Sequence, residues 1–312
     1  MQLVERLLSG DVRALARAIS LVEEHAGSAV EILRGVFGQT GRATVVGLTG
    51  SPGSGKSSLV DRLIAAYRND GRKVGVVAVD PSSAYSGGAV LGDRVRMQSH
   101  ATDPEVFIRS MATRGYLGGL SRATNDTIDL MDAAGYDPIV VETVGVGQDE
   151  VDVVKTADVV GVVLVPGMGD GIQAIKAGIL EIADLFVINK ADHAGADRLN
   201  AELDYMLSLA PDDGRGRPQI FKTVAIRNEG MAELQRGIAE YLRSVDGRPR
   251  HQRRREQARA RFLGVLGDRT LERLLDQSVT PEELDQLVDE IAERRLDPYS
   301  AAERVLSRWE VR

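Results

Sequence analysis

The sequence predicts an α/β domain with a doubly wound, mainly parallel sheet, extended by helices at both ends. Three observations predict it. Short, nearly continuous apolar runs alternate with helical stretches from Thr44 to about Val245, and strands buried on both faces read that way. Gly50-Ser51-Pro52-Gly53-Ser54-Gly55-Lys56-Ser57 fits G-x-x-x-x-G-K-[ST] and lies between one such run and one such helix. Polar residues and glycines then collect at the ends of the later runs, the edge where open parallel sheets bind ligands.

The elements follow in order. Residues 1–41 read as a helical N-terminal extension. Leu3, Leu7 and Leu8, then Leu15, Ile19 and Val22, recur at three- and four-residue steps, the period of a helix face. Ser9-Gly10-Asp11 breaks the first helix and caps the second, and a third segment, Ala29 to Phe37, ends at Gly38. Residues 42–246 form the sheet domain. Its strands are expected at Thr44–Thr49, Val74–Val79, Pro138–Glu142, Val159–Val165, Asp184–Asn189 and Ile220–Val224. Helices are expected after the glycine-rich loop from Ser58 and at Leu117–Ala134, Ile172–Ile182 and Met231–Leu242. Residues 247–312 form a helical arm, with helices at Glu256–Leu266, Leu271–Leu275, Pro281–Ile291 and Ala301–Trp309. The run Arg248-Pro249-Arg250-His251-Gln252-Arg253-Arg254-Arg255 at its start could suit nucleic acid or an acidic partner, but reads more simply as a solvated helix linker. The apolar stripes beyond it suit an oligomer contact.

Composition excludes several classes. With 43% hydrophobic and 27% charged residues, the 312-residue chain is of ordinary globular type. It has no cysteine and four scattered histidines, which removes thiolate chemistry and argues against a histidine metal site. The net charge of −7 argues against general nucleic-acid binding. No apolar run approaches the roughly 20 residues that span a bilayer, and the first residues lack a signal peptide's apolar core. A cytoplasmic protein that engages neither membrane nor nucleic acid is expected.

The chemistry is concentrated in the loops. Glycines at 50–55 let backbone N–H groups turn inward around phosphate oxygens, and the following helix N-terminus adds positive potential. Lys56 would reach the outer phosphates, Ser57 would hold Mg²⁺, and Ser58 continues the cradle. Asn189-Lys190-Ala191-Asp192 fits N-K-x-D. The Asp192 carboxylate can accept from guanine N1–H and its 2-amino group, whereas adenine offers it no matching donors. Asn189 would brace the loop, and the Lys190 stem would lie along the base. Val224, Ala225 and Ile226, after the last strand, sit where a second base-contacting loop belongs. Mg²⁺ takes oxygen ligands and keeps several waters; its candidate ligands are Ser57, Asp80, Asp93 and Glu142. Glu142-Thr143-Val144-Gly145 is similar to a D-x-x-G switch with Glu for Asp. The Gly145 N–H could sense a γ-phosphate. Gln148 reads either as a water-orienting residue or as a backbone brace. Ser86-Gly87-Gly88-Ala89 and Gly167–Gly171 are candidate switch loops.

Taken together, Gly50–Ser58, Asp80-Pro81-Ser82-Ser83, Gly92-Asp93, Glu142–Gln148, Ile172-Gln173-Ala174-Ile175-Lys176 and Asn189–Asp192 resemble the MeaB/ArgK family across nearly the whole chain. These are G-protein chaperones of methylmalonyl-CoA mutase and related adenosylcobalamin-dependent acyl-CoA mutases. The resemblance implies a P-loop G domain that binds GTP/GDP with Mg²⁺ and hydrolyses GTP slowly. It implies a homodimer held by the C-terminal arm and a mutase partner whose cofactor loading is gated. It also implies that Lys176 belongs to a third switch loop reaching the nucleotide when the mutase is bound. Two departures stand out. Asp170-Gly171-Ile172-Gln173 replaces the usual acidic-Leu-Gln form, and Thr223-Val224-Ala225 replaces T-S-A. A metallochaperone-type GTPase and a P-loop kinase are the competing readings. The first lacks its expected Cys or His ligands, and the second sits poorly with Asp192.

Overall fold

The computed structural model describes residues 2–80, 98–100, 102–112, 119–143, 156–167, 182–209 and 216–310. Three helices come first: α1 (Gln2–Leu8), α2 (Val12–Glu23) and α3 (Ala29–Val36). Asp11 caps α2 by accepting from the N–H groups of Arg13 and Ala14, which answers two of the helix's orphan donors. The sheet domain then runs β1 (Val45–Gly50), α4 (Lys56–Asn69), β2 (Val74–Asp80), β3 (Val106–Ala112), α5 (Gly119–Ala133), β4 (Ile139–Thr143) and β5 (Val159–Leu164). It continues with β6 (Leu185–Asn189), α6 (Ala196–Leu209), β7 (Gln219–Thr223) and α7 (Met231–Ser244). The remaining helices are α8 (Arg248–Ser278), α9 (Pro281–Ala292) and α10 (Pro298–Glu310).

The seven strands form one parallel sheet in the order β3-β2-β4-β1-β5-β6-β7. The doubly wound class read from the sequence is therefore the observed one. Alternation along the strands divides the core. Val46 and Leu48 of β1, Val163 of β5, and Leu185 and Val187 of β6 face a layer built from α4 and α7. Val45, Val77 and Val160 face α1, α2, α3 and α5 on the other side, and Phe186 and Ile188 pack there against α6. The N-terminal helices thus share a core with the sheet. Gly237 on α7 allows close approach to β7, because a Cβ there would lie 2.0 Å from the Phe221 ring.

Strand β3 is absent from the sequence expectations. Arg109 and Ser110 interrupt its apolar run, and the structure reconciles the charge by pairing Arg109 with Glu23 of α2. The helix predicted at Ile172–Ile182 lies outside the described residues apart from its last position.

The lower, N-terminal edge of the sheet repeats one device. An aspartate just before a strand caps a backbone N–H at the start of the neighbouring one. Asp137 Oδ1 accepts from Thr44 N at 2.9 Å, Asp158 Oδ2 from Val45 N at 3.0 Å, and Asp184 Oδ2 from Val160 N at 2.8 Å. The arginine run docks onto this edge. Arg253 Nη1 donates to Asp184 Oδ2 at 2.9 Å, and Tyr241 Oη donates to the same carboxylate. Arg254 reaches Asp158 at 3.2 Å, with Arg250 at 3.5 Å. The reading of this run as a solvated linker is corrected, since three of its arginines meet two buried carboxylates. The pieces predicted at 256–266 and 271–275 also lie on one continuous helix, α8.

The chain divides into two compact units, Met1–Gln257 and Ala258–Arg312. In the second, Thr280 and Glu283 form a capping box at the start of α9, with Pro281 in its first turn. Leu274 and Ala301 are buried, whereas Phe262, Leu263, Leu266, Leu271, Val288 and Tyr299 are exposed. Among the described residues no helix is long and apolar enough to cross a membrane.

Candidate nucleotide site

The site lies where β1, β4, β6 and β7 end. β1 delivers the chain into the glycine-rich loop, and Gly50, Gly53 and Gly55 all take positive φ, which glycine adopts at no steric cost. A Cβ at Gly50 would lie 2.2 Å from the Val163 carbonyl oxygen of β5. Lys56 opens α4 and is buried, with Nζ donating to the Gly50 and Ser51 carbonyls at 2.6 and 3.0 Å. Its ammonium is therefore held at the mouth of the loop. Pro52 and Ser58 are exposed, and Ser54 is fully buried.

Ser57 lies one residue into α4 and donates from Oγ to Glu142 Oε1 at 2.6 Å. Glu142 stands near the end of β4 and is 8% exposed. Alongside, Thr143 Oγ1 donates to Thr49 Oγ1 at 3.0 Å and joins the strand ends. A hydroxyl and a carboxylate this close, beside the glycine-rich loop, are the hard oxygen donors that Mg²⁺ accepts. Among the described residues no three His, Cys, Asp or Glu side chains form a metal-binding group.

Asn189 ends β6 and joins two loops. Its Nδ2 donates to the Ser54 carbonyl at 2.8 Å, while Oδ1 accepts from Thr223 Oγ1 and from Ala225 N, each at 3.2 Å. Lys190 adopts φ +54° and donates from Nζ to the Gly53 carbonyl at 3.0 Å. Asp192 follows, paired with Arg227. Val224 and Ala225 are buried, and Ile226 is exposed beside them. Arg62 of α4 donates to the Ala225 carbonyl at 3.1 Å.

The structure thus brings together Gly50 to Ser58, Glu142, Asn189, Lys190, Asp192 and Val224 to Ile226. Asp80 ends β2, with its side chain outside the described atoms. Asp93, Gly145, Gln148 and Lys176 lie outside the described residues, as do 86–89 and 168–171 of the candidate switch loops. Arg227 and Arg62 were not foreseen. Neither falls in a recognisable pattern, and their partners are 35 and 163 residues away in sequence.

A parallel sheet with the glycine-rich loop after its central β1, and N-K-x-D after β6, defines a P-loop GTPase. The family described as methylmalonyl Co-A mutase-associated GTPase MeaB matches residues 15–280, and the chain belongs to it. A protein of Pyrococcus abyssi named as a GTPase is 49% identical over 98% of this chain and 95% of its own. GTPase ArgK of Escherichia coli is 33% identical, with 91% of this chain and 87% of that protein covered. The methylmalonic aciduria type A homolog of Caenorhabditis elegans, named as mitochondrial, is also 33% identical, over 98% and 82%. Among solved structures, a crystal structure of LAO/AO transport system kinase matches with a TM-score of 0.72 and 25% identity. It covers 98% of this chain and 96% of that one.

Proposed function

We propose that this GTPase binds GTP with Mg²⁺ and hydrolyses it to GDP and phosphate. In doing so it acts as a nucleotide-controlled chaperone of an adenosylcobalamin-dependent acyl-CoA mutase of the methylmalonyl-CoA type. The observation that carries the nucleotide reading is the Asn189 bridge. One side chain ties the phosphate loop to the loop after β7, so a base and its phosphates are gripped by one connected frame. Lys56 holds the outer phosphates, and Asp192 reads the guanine edge, flanked by the backbone of Val224, Ala225 and Ile226. Ser57 and Glu142 hold Mg²⁺, with Asp80 and Asp93 as further ligand candidates. Mg²⁺, when bound, neutralises charge on the phosphates. Gly145, Gln148 and Lys176 are assigned to γ-phosphate sensing, water orientation and partner-dependent catalysis.

The mutase role is supported by the family match over residues 15–280. A homodimer is supported by the exposed apolar side chains of the second unit, among them Phe262, Leu266 and Leu271, because such residues are normally covered. A cytoplasmic location is part of the same proposal. The test is nucleotide affinity followed by turnover with and without a cognate mutase. GTP should bind well ahead of ATP, and the mutase should change the hydrolysis rate. Equal ATP binding sinks the guanine assignment, and an unaltered rate sinks the chaperone role. Transfer of γ-phosphate to an acceptor other than water would favour a kinase instead.

A further inference from the structure

Among the described residues, the carboxylate of Asp192 is engaged through one oxygen. Arg227 donates from Nη2 to Asp192 Oδ2, while Asp192 Oδ1 has no partner among the described residues. The pair is half-open, with Asp192 24% and Arg227 53% exposed. Arg227 also lies 3.7 Å from Glu229 through Nη1.

The backbone presenting Arg227 is held from several directions. Ala225 N donates to Asn189, and the Ala225 carbonyl accepts from Arg62. Arg227 N donates to the Val224 carbonyl at 2.9 Å, and Val224 exchanges backbone hydrogen bonds with Glu229. The guanidinium therefore reaches Asp192 from a braced loop.

We infer that Arg227 is a positioning residue that sets base specificity by fixing the plane of the Asp192 carboxylate. The inference rests on the reading of Asp192 as the base reader. The terminal torsion of a free aspartate is broad, yet a base offering two N–H donors along one edge needs both oxygens in its own plane. A carboxylate oxygen accepts two hydrogen bonds, so Oδ2 can keep Arg227 and still meet the base. Arginine stays charged across the physiological range, and here its planar guanidinium holds Asp192 through Nη2 on Oδ2 while Nη1 lies toward Glu229. The clamp also works against adenine. A loose aspartate could turn away from adenine's N1 acceptor, whereas a clamped one must face it. Arg227 thus sharpens the rejection of ATP while favouring a nucleoside triphosphate with guanine-type donors.

The test is a double-mutant cycle on the full chain, with GTP and ATP dissociation constants for the parent, Arg227→Ala, Asp192→Ala and the double variant. Arg227→Ala should weaken GTP about 3- to 10-fold without weakening ATP. Asp192→Ala should weaken GTP more, and adding Arg227→Ala to it should change nothing further. Arg227→Lys should recover the GTP preference only in part, since an ammonium on a flexible stem lacks the fixed direction of the guanidinium N–H. Equal loss of GTP and ATP in Arg227→Ala overturns the inference, because Arg227 would then only support the loop. Tighter GTP binding overturns it too, as Arg227 would compete with the base. An unchanged GTP constant beside a large Asp192→Ala loss overturns the inference and leaves the base reader standing. No GTP loss in Asp192→Ala removes the base reader and the inference together.

Discussion

The two edges of the sheet use acidic side chains in opposite ways. At the lower edge Asp132, Asp137, Asp158 and Asp184 are spent on the protein's own donors. Asp132 accepts from the N–H groups of Gly41, Arg42 and Ala43. Asp158 and Asp184 each hold a strand N–H, and they meet two arginines and one arginine of α8 respectively. At the upper edge Glu142 meets the hydroxyl of Ser57, and Asp192, partly exposed, meets the side chain of Arg227. Acids committed to backbone N–H groups make permanent structure. In the proposed function, the acids beside the glycine-rich loop and the braced turn are the ones that exchange with a ligand. The contrast assigns stability to one edge and chemistry to the other, and each can be broken alone.

The largest effect is expected at the lower edge. Asp184→Ala leaves Arg253, Tyr241 Oη and the Val160 N–H without their carboxylate. Removing one partner of a buried pair costs about 3–5 kcal/mol, so urea denaturation should shift by that much. The GTP-to-ATP preference of the folded fraction should not move; a shift in preference at unchanged stability would break the division of labour. Next comes Lys56→Ala, which should slow GTP hydrolysis by about 10²–10³-fold, the usual loss when a positioned electrostatic group is removed. Its denaturation midpoint should stay near the parent's, and retained turnover would refute the assignment of Lys56. Glu142→Gln should raise the Mg²⁺ concentration needed for half-maximal hydrolysis by about 10-fold or more. The amide oxygen can still accept from Ser57, so an unaltered Mg²⁺ titration would remove Glu142 from the metal site.

The smallest effect sharpens the comparison with an exposed version of the lower-edge device. The Asp11 carboxyl is held below its ordinary value, first by the hydrogen bond from Arg6, then by the N–H of Ala14. Its contribution to stability is present above the unfolded value, about 3.9, and is lost as pH falls through the lower folded value. Asp11→Asn should flatten that acid limb slightly when stability is followed from pH 6 downward. A limb identical to the parent's would mean that the cap works without its charge.

Legibility followed how local the signal was. The glycine-rich loop, Asn189, Asp192 and six of the seven strands are written in contiguous residues, and the structure brings the described ones together. β3 escaped because Arg109 breaks its apolar run and finds Glu23 86 residues earlier. The arginine run looked solvated because its partners, Asp158 and Asp184, lie up to 96 residues upstream. They become acids at a sheet edge only once the sheet exists. Arg227 was illegible for the same reason.

Gly55 lies in the loop proposed to surround phosphates, yet its bareness serves the side chain that reaches the loop proposed for the base. A Cβ there would stand 2.4 Å from Asn189 Nδ2. The glycine of one sequence pattern and the asparagine of another, 134 positions later, are key and keyhole. Alanine at 55 would push out the side chain that ties the two loops. Damage to the phosphate loop would then surface as confusion about the base.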